Sequence, residues 1–328
     1  MAFGATAQRM VVAETLDGLD ERDPAAQRSR RDLRRIHVAM GTRAIVGRAL
    51  GEMVGDAASP MPTGPPLRIL ELGAGDGSLM LGVARALHRR WPRVELTLLD
   101  RQSLIEPATV AGYAALGWTV MPQVVDVLAW ADAAPDDVFD QATARWDLIV
   151  TTLFLHHFDG AAFTRLLGAI ERRTDRFFAC EPRRAPLALV GSHLVGALGA
   201  NAVTREDAVL SVRAGFRGDE LARLWPGRAG DWRLHEYQAG LFSHCLRAER
   251  RSAEADARLA ASPSSMQPEM TRPSSTPLSN TQPSATHPST THPSTTHPSI
   301  MHPSIMQPSS MQPSSMQPSS VRPSNTAR

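Results

Sequence analysis

The 328 residues include 35 arginines, no lysine and 33 acids, giving a net charge of +2 at pH 7. Lysine-based chemistry is therefore excluded. Only Arg272, Arg322, Arg328 and Glu269 lie beyond Ala260, so the chain up to that point is electrically neutral and offers no basic field to nucleic acid.

The first 20 residues carry acids and no continuous apolar core, so no secretory signal is expected. Residues 1–58 read as a helical cap: Asp23-Pro24 opens a helix with Leu33, Ile36 and Met40 at helical spacing. Arg28, Arg30, Arg31, Arg34 and Arg35 crowd that stripe, and Glu21, Asp23 and Asp32 dilute them into a solvated face. Residues 59–66, rich in proline, form a linker. The apolar run 67–72 predicts a buried strand, and Met80, Val83, Ala84, Leu87 and Trp91 predict a helix packed on the sheet. Strands follow at 93–100, 118–128, 146–152 and 176–181, with helices at 108–116 and around Phe163, Leu166, Leu167 and Ile170. Residues 185–225 read as a helical, apolar insertion. Its most apolar part is broken by Gly191, His193, Gly196, Gly199 and Asn201, so no integral membrane segment is expected. Strands 231–238 and 241–247, joined by Ala239-Gly240, can only form an antiparallel hairpin. From Pro263 a Pro-Ser step recurs every five residues, and 251–328 is expected to be a disordered tail. Cys180 and Cys245 stand outside any metal-ligand spacing. They read as buried thiols in a reducing, cytoplasmic compartment.

Between the first strand and its helix lie Glu71, Gly73, Ala74, Gly75, Asp76 and Gly77. Such a glycine turn lets backbone approach a ligand closely. Asp76 at the helix N-terminus and Glu71 just upstream repel phosphate and suit a cation. Asp100, ending the second strand, can accept both hydroxyls of a ribose.

In this acid-x-Gly-x-Gly-x-Gly motif, with Asp100, Asp126 and the terminal hairpin behind it, the sequence resembles the class I S-adenosylmethionine-dependent methyltransferases over roughly residues 67–247. The resemblance implies a methyltransferase domain over 67–250. Its expected fold is α/β, a seven-stranded doubly wound sheet, mostly parallel with a C-terminal antiparallel hairpin. It further implies S-adenosyl-L-methionine as cofactor and an N-terminal segment folding over it. Glu71, Gly73, Ala74, Gly75, Gly77, Asp100, Arg101, Asp126, Val127 and Thr152 would hold the cofactor. Asp126 would take the adenine amine, Val127 would cover the ring, and Arg101 would flank it. The stretch Leu153-Phe154-Leu155-His156-His157-Phe158 resembles the small-molecule branch related to ubiquinone and menaquinone methyltransferases, and the Asn/Asp-Pro-Pro motif of amide and amine methylation is absent. The implied substrate is small and largely apolar.

His156 and His157 are the candidates for a general base, with His193 and Arg213 as alternatives expected to face the same cleft. No metal ligand set is read from the sequence. The expected reaction is O-methylation of a phenolic or polyketide-like hydroxyl, with C-methylation of an activated aromatic ring as the alternative. An NAD-dependent oxidoreductase and a non-catalytic binding protein of this fold remain outside readings. Oligomeric state is not readable.

Overall fold

Short apolar runs form the middle of a seven-stranded sheet. The computed structural model describes residues 8–55, 65–91, 93–133, 145–227 and 230–251, all within the first of two units, residues 1–264. The tail beyond residue 251 and most of the 59–66 linker lie outside the described residues.

The strands are β1 (Leu67–Leu72), β2 (Val94–Asp100), β3 (Trp118–Val124), β4 (Leu148–Thr152), β5 (Arg176–Pro182), β6 (Trp232–Ala239) and β7 (Ser243–Arg250). They lie in the order β3-β2-β1-β4-β5-β7-β6. The first five are parallel, and β7 runs antiparallel to both β5 and β6. The hairpin expected from Ala239-Gly240 is present. Cys180 faces Cys245 across β5 and β7, and both thiols are free and buried.

Ten helices surround the sheet among the described residues: α1 (Thr15–Gly18), α2 (Pro24–Met40), α3 (Thr42–Val54), α4 (Ser78–Leu87), α5 (Pro107–Ala114), α6 (Val127–Asp132), α7 (Gly160–Arg173), α8 (Pro186–Leu194), α9 (Ala202–Ala214) and α10 (Glu220–Leu224). The alternation of a strand sends successive side chains to opposite faces. Ile69, Leu96, Leu98 and Phe178 meet Val46 and Leu50 of α3 and Val83 and Leu87 of α4. On the other face Leu70, Leu72, Ile149 and Phe177 meet Trp130 of α6 and Phe163, Leu166, Leu167 and Ile170 of α7. Each such side chain contributes about 1.5–3 kcal/mol when fully buried.

One expectation needs correction. The third strand stops at Val124 rather than running to residue 128. Asp126 accepts hydrogen bonds from the backbone of Leu128 (2.8 Å) and Ala129 (3.2 Å) and so caps α6. A short carboxylate competes with the sheet for nearby N–H groups and starts a helix instead. The cap region also holds a second long helix, α3, because Gly41 (φ 68°) ends α2 in the left-handed conformation.

No helix among the described residues is long and apolar enough to cross a membrane. The strand order reverses between β1 and β4, and a doubly wound sheet opens a crevice beyond the carboxyl ends of its strands at that point.

Candidate functional site

A cavity of about 1010 Å³ opens at this reversal. Its floor is the loops that follow β1 to β5, and its roof is α2, α8, α9 and residues 12–18. Glu71, Gly73, Ala74, Gly75, Asp100, Arg101, Asp126, Val127, Thr152, His156 and His157 all line it. Most of the sequence-predicted site is therefore brought together in one place. Gly77 lies one turn deeper, where it begins α4.

The glycine turn needs its glycines. Gly73 has φ 73°, and a Cβ there would come within 2.2 Å of the Phe154 ring; Gly75 has φ 57° and faces open space. The first glycine packs the turn against the loop after β4, and the second leaves bare backbone toward the cavity.

Three acids surround that backbone. Glu71 is 3% exposed, and its Oε2 has no hydrogen-bond partner among the described residues. Burial, helped by the charges of Asp100 and Asp76, pushes its carboxyl up to about 8. Asp76 behaves differently. Burial pushes it up, but the Ser78 hydrogen bonds and the Arg34 guanidinium, 2.5 Å away, outweigh burial and hold it low. Asp100 accepts from the Gly75 N–H at Oδ2 (2.8 Å) and the Gln102 N–H at Oδ1 (2.9 Å), which ties the carboxylate to the glycine turn and to its own loop. Asp126, already spent on capping α6, still faces the cavity beside the buried Val127. The Thr152 hydroxyl, at the end of β4, is buried without a partner among the described residues.

After β4 the chain turns through Leu153, a non-glycine residue at φ 53°. That turn presents a 3-10 segment, Leu155–His157. Glu181, the fully buried acid near the end of β5, organises the segment. Its Oε1 accepts from the N–H groups of Phe154 (3.2 Å) and Leu155 (3.0 Å), and its Oε2 from the His156 N–H (3.3 Å). The same Oε2 lies 2.8 Å from His156 Nδ1. On the other side of that ring, Nε2 is 3.3 Å from Glu14 Oε1. Burial alone would lower the His156 imidazole, but the two carboxylates overrule it and lift it to about 9. His157 is 22% exposed, and its Nδ1 lies 3.1 Å from Asp17 Oδ2.

Glu14 and Asp17 come from an N-terminal strap that closes the cavity. The Arg9 guanidinium donates to the carbonyls of Ala214, His156 and Phe158, and Asp207 accepts from the N–H groups of Thr15 and Leu16. Arg101 pairs with Asp17 (3.2 Å), so this predicted cofactor residue ties the strap to the loop after β2. Opposite, α2 turns Leu33, Ile36, Met40 and the half-buried His37 into the cavity; desolvation pushes His37 down to about 4. The apolar stripe of α2 is thus a cavity wall. Arg30 and Arg34 of its arginine face also reach the site, the former donating to Gln102 Oε1 (2.9 Å).

His193 is exposed on α8 and lies outside the cavity wall, as does Arg213. Neither faces the cleft as expected: the wall side of α8 is carried by Ala188, Gly191, Ser192 and Leu194, and that of α9 by Ala208, Ser211 and Val212. Glu14, Asp17, Glu181 and His37 were not foreseen. An acid closing β5 was a readable signal, but nothing local marks the strap residues.

No family model matches this sequence, and neither does any curated protein. Among solved structures the chain is similar to the plantazolicin methyltransferase BpumL in complex with SAH, at 13% identity and TM-score 0.46, covering 70% of this chain and 92% of that one. It is also similar to an O-methyltransferase family protein from Burkholderia thailandensis (15%, TM-score 0.39, 64% of this chain and 60% of that one). A third is magnesium protoporphyrin IX methyltransferase (ChlM) from Synechocystis PCC 6803 with bound SAM (12%, TM-score 0.39, 72% and 88%). Likeness of this degree assigns no residue and no substrate, so function is argued from the cavity.

Proposed function

We propose that this chain binds S-adenosyl-L-methionine in the cavity and transfers its methyl group to a hydroxyl of a small, largely apolar acceptor, phenolic or polyketide-like. The observation that carries the reading is Glu71, a buried carboxyl with an unpartnered oxygen beside bare glycine backbone. A buried polar atom without a partner costs about 1–3 kcal/mol, and a cationic ligand group removes that cost. A dinucleotide pyrophosphate would instead meet Glu71, Asp76 and Asp100 together, which argues against an oxidoreductase.

The residues present fit the cofactor. Glu71 would hold its ammonium, Asp100 the ribose hydroxyls, and Val127 with Asp126 the adenine. Bound there, the cofactor supplies a methyl group on a positively charged sulfur. The protein's own part is to place an acceptor oxygen in line and to exclude water, and positioning of this kind supplies much of the acceleration in a displacement. The α2 wall (Leu33, Ile36, Met40) and the α8–α9 wall (Ala188, Val195, Val212) offer the acceptor an apolar bed with few polar anchors. Its hydroxyl would lie at the polar end of that bed, beside His156 and His157.

Calorimetry with S-adenosylhomocysteine and with NADH tests the cofactor. Heat from the first and none from the second is expected; the reverse would sink the proposal. Methyl transfer from labelled cofactor to a panel of apolar phenols then tests the acceptor class.

A further inference from the structure

The two contacts of the His156 ring differ in kind. Nδ1 to Glu181 Oε2, at 2.8 Å, is a charge-assisted hydrogen bond of ordinary length. Nε2 to Glu14 Oε1, at 3.3 Å, is long for one. It matches the edge of a tetrahedron of ligand atoms about 2.0–2.1 Å from a central ion, roughly 3.3 Å. A ring nitrogen of His157 completes the set: the three ligand atoms all lie within 4.8 Å of one another, and all three residues line the cavity.

We propose that Glu14, His156 and His157 hold a divalent transition-metal ion of the zinc class, with a fourth position open to the acceptor oxygen. Two further observations support the site. A metal-bound imidazole almost always donates its other N–H to a carboxylate, a backbone carbonyl or water, and here the carboxylate of Glu181 stands there, fully buried and pinned by three backbone N–H groups. Glu14 is itself oriented, because the Ser211 hydroxyl hydrogen-bonds the same Oε1. Two imidazoles and a carboxylate with one open position is the donor set of a catalytic rather than a structural zinc site.

The site deepens the methyltransferase reading and rests on it only for what the ion does. An acceptor hydroxyl bound to the ion becomes acidic and loses its proton to water. The oxygen lone pair then forms the O–C bond to the methyl group as the C–S bond breaks. The bonding pair passes to sulfur, leaving a methyl ether, a neutral thioether and one proton.

Equilibrium dialysis of the chelator-treated full chain against Zn²⁺ and Co²⁺ tests the proposal. The tail holds His287, His292, His297 and His302, so the reference protein carries all four as glutamine. One equivalent of metal is expected, with the intense visible bands of four-coordinate Co²⁺. His156→Ala and Glu14→Ala should each lose the equivalent, and Glu181→Gln should keep it with affinity lowered about 10–100-fold. Glu14 lies on the strap, outside the core, so its variant stays informative should His156→Ala fold poorly. No equivalent in the reference protein, or one that survives both alanine variants, overturns the site. S-adenosylhomocysteine calorimetry on the same samples separates the two readings: metal without cofactor heat overturns the methyltransferase alone, and cofactor heat without metal overturns the site alone.

Discussion

Titrating the protein with S-adenosylhomocysteine at pH 7 is expected to release close to one proton per chain. Glu71, raised to about 8 by burial, is about nine-tenths neutral at pH 7, yet a bound ammonium needs its charged form. The release should be about 0.9 proton at pH 7 and about 0.5 at pH 8, and apparent affinity should climb about tenfold from pH 6 to 7. Calorimetry in phosphate and in Tris reads it, because the buffers take up protons with different heats. Glu71→Gln should abolish both the release and the affinity slope. Stability carries the opposite sign. The native carboxyl keeps a proton that the unfolded one loses near 4.5, so the unliganded protein should weaken as pH rises from about 4.5 to 8, by at most about 5 kcal/mol. Tight binding with equal heats in the two buffers would refute the assignment of the ammonium to Glu71, as would an unchanged release in the glutamine variant.

Asp100→Ala should weaken S-adenosylhomocysteine by about 1.5–3 kcal/mol, the worth of hydrogen bonds to a charged group; a loss below twofold in calorimetry would count against a ribose contact. Gly73→Ala should lower stability by about 1–3 kcal/mol in urea, through the left-handed backbone and the Phe154 ring behind it. An unshifted midpoint would mean that the turn rearranges freely. Truncation after Ala261 should leave melting temperature and cofactor affinity unchanged, and a drop of several degrees would show that the Pro-Ser repeat supports the domain.

What was legible in the sequence was local. An apolar run ending in three spaced glycines is a strand, turn and helix whatever surrounds it, and the Ala239-Gly240 connection could only be a hairpin. Asp126 shows how locality fails: Val125-Asp126-Val127 alternates like a strand, but the carboxylate finds its own N–H partners and starts a helix. His193 fails for another reason. Leu187 and Val190 of α8 are more than half exposed and outside the cavity wall, so the apolar character of that helix did not mark its inward face. Glu14 and Asp17 meet the histidines only because Arg9 and Asp207 fasten the strap across the cleft, a long-range arrangement that no window of sequence encodes.

That strap has a kinetic meaning. Residues 8–20 contribute no fully buried side chain; they are fastened by hydrogen bonds and ion pairs, each of which nets only about 1 kcal/mol in water. Peeling them away exposes little apolar surface, so the cleft can open while the sheet stays folded. Under the proposed methyl transfer, product escape then depends on how fast a handful of polar contacts let go. Where escape sets the pace of that turnover, added salt should quicken it by loosening Arg101 from Asp17, even as it weakens the hold on a cationic cofactor.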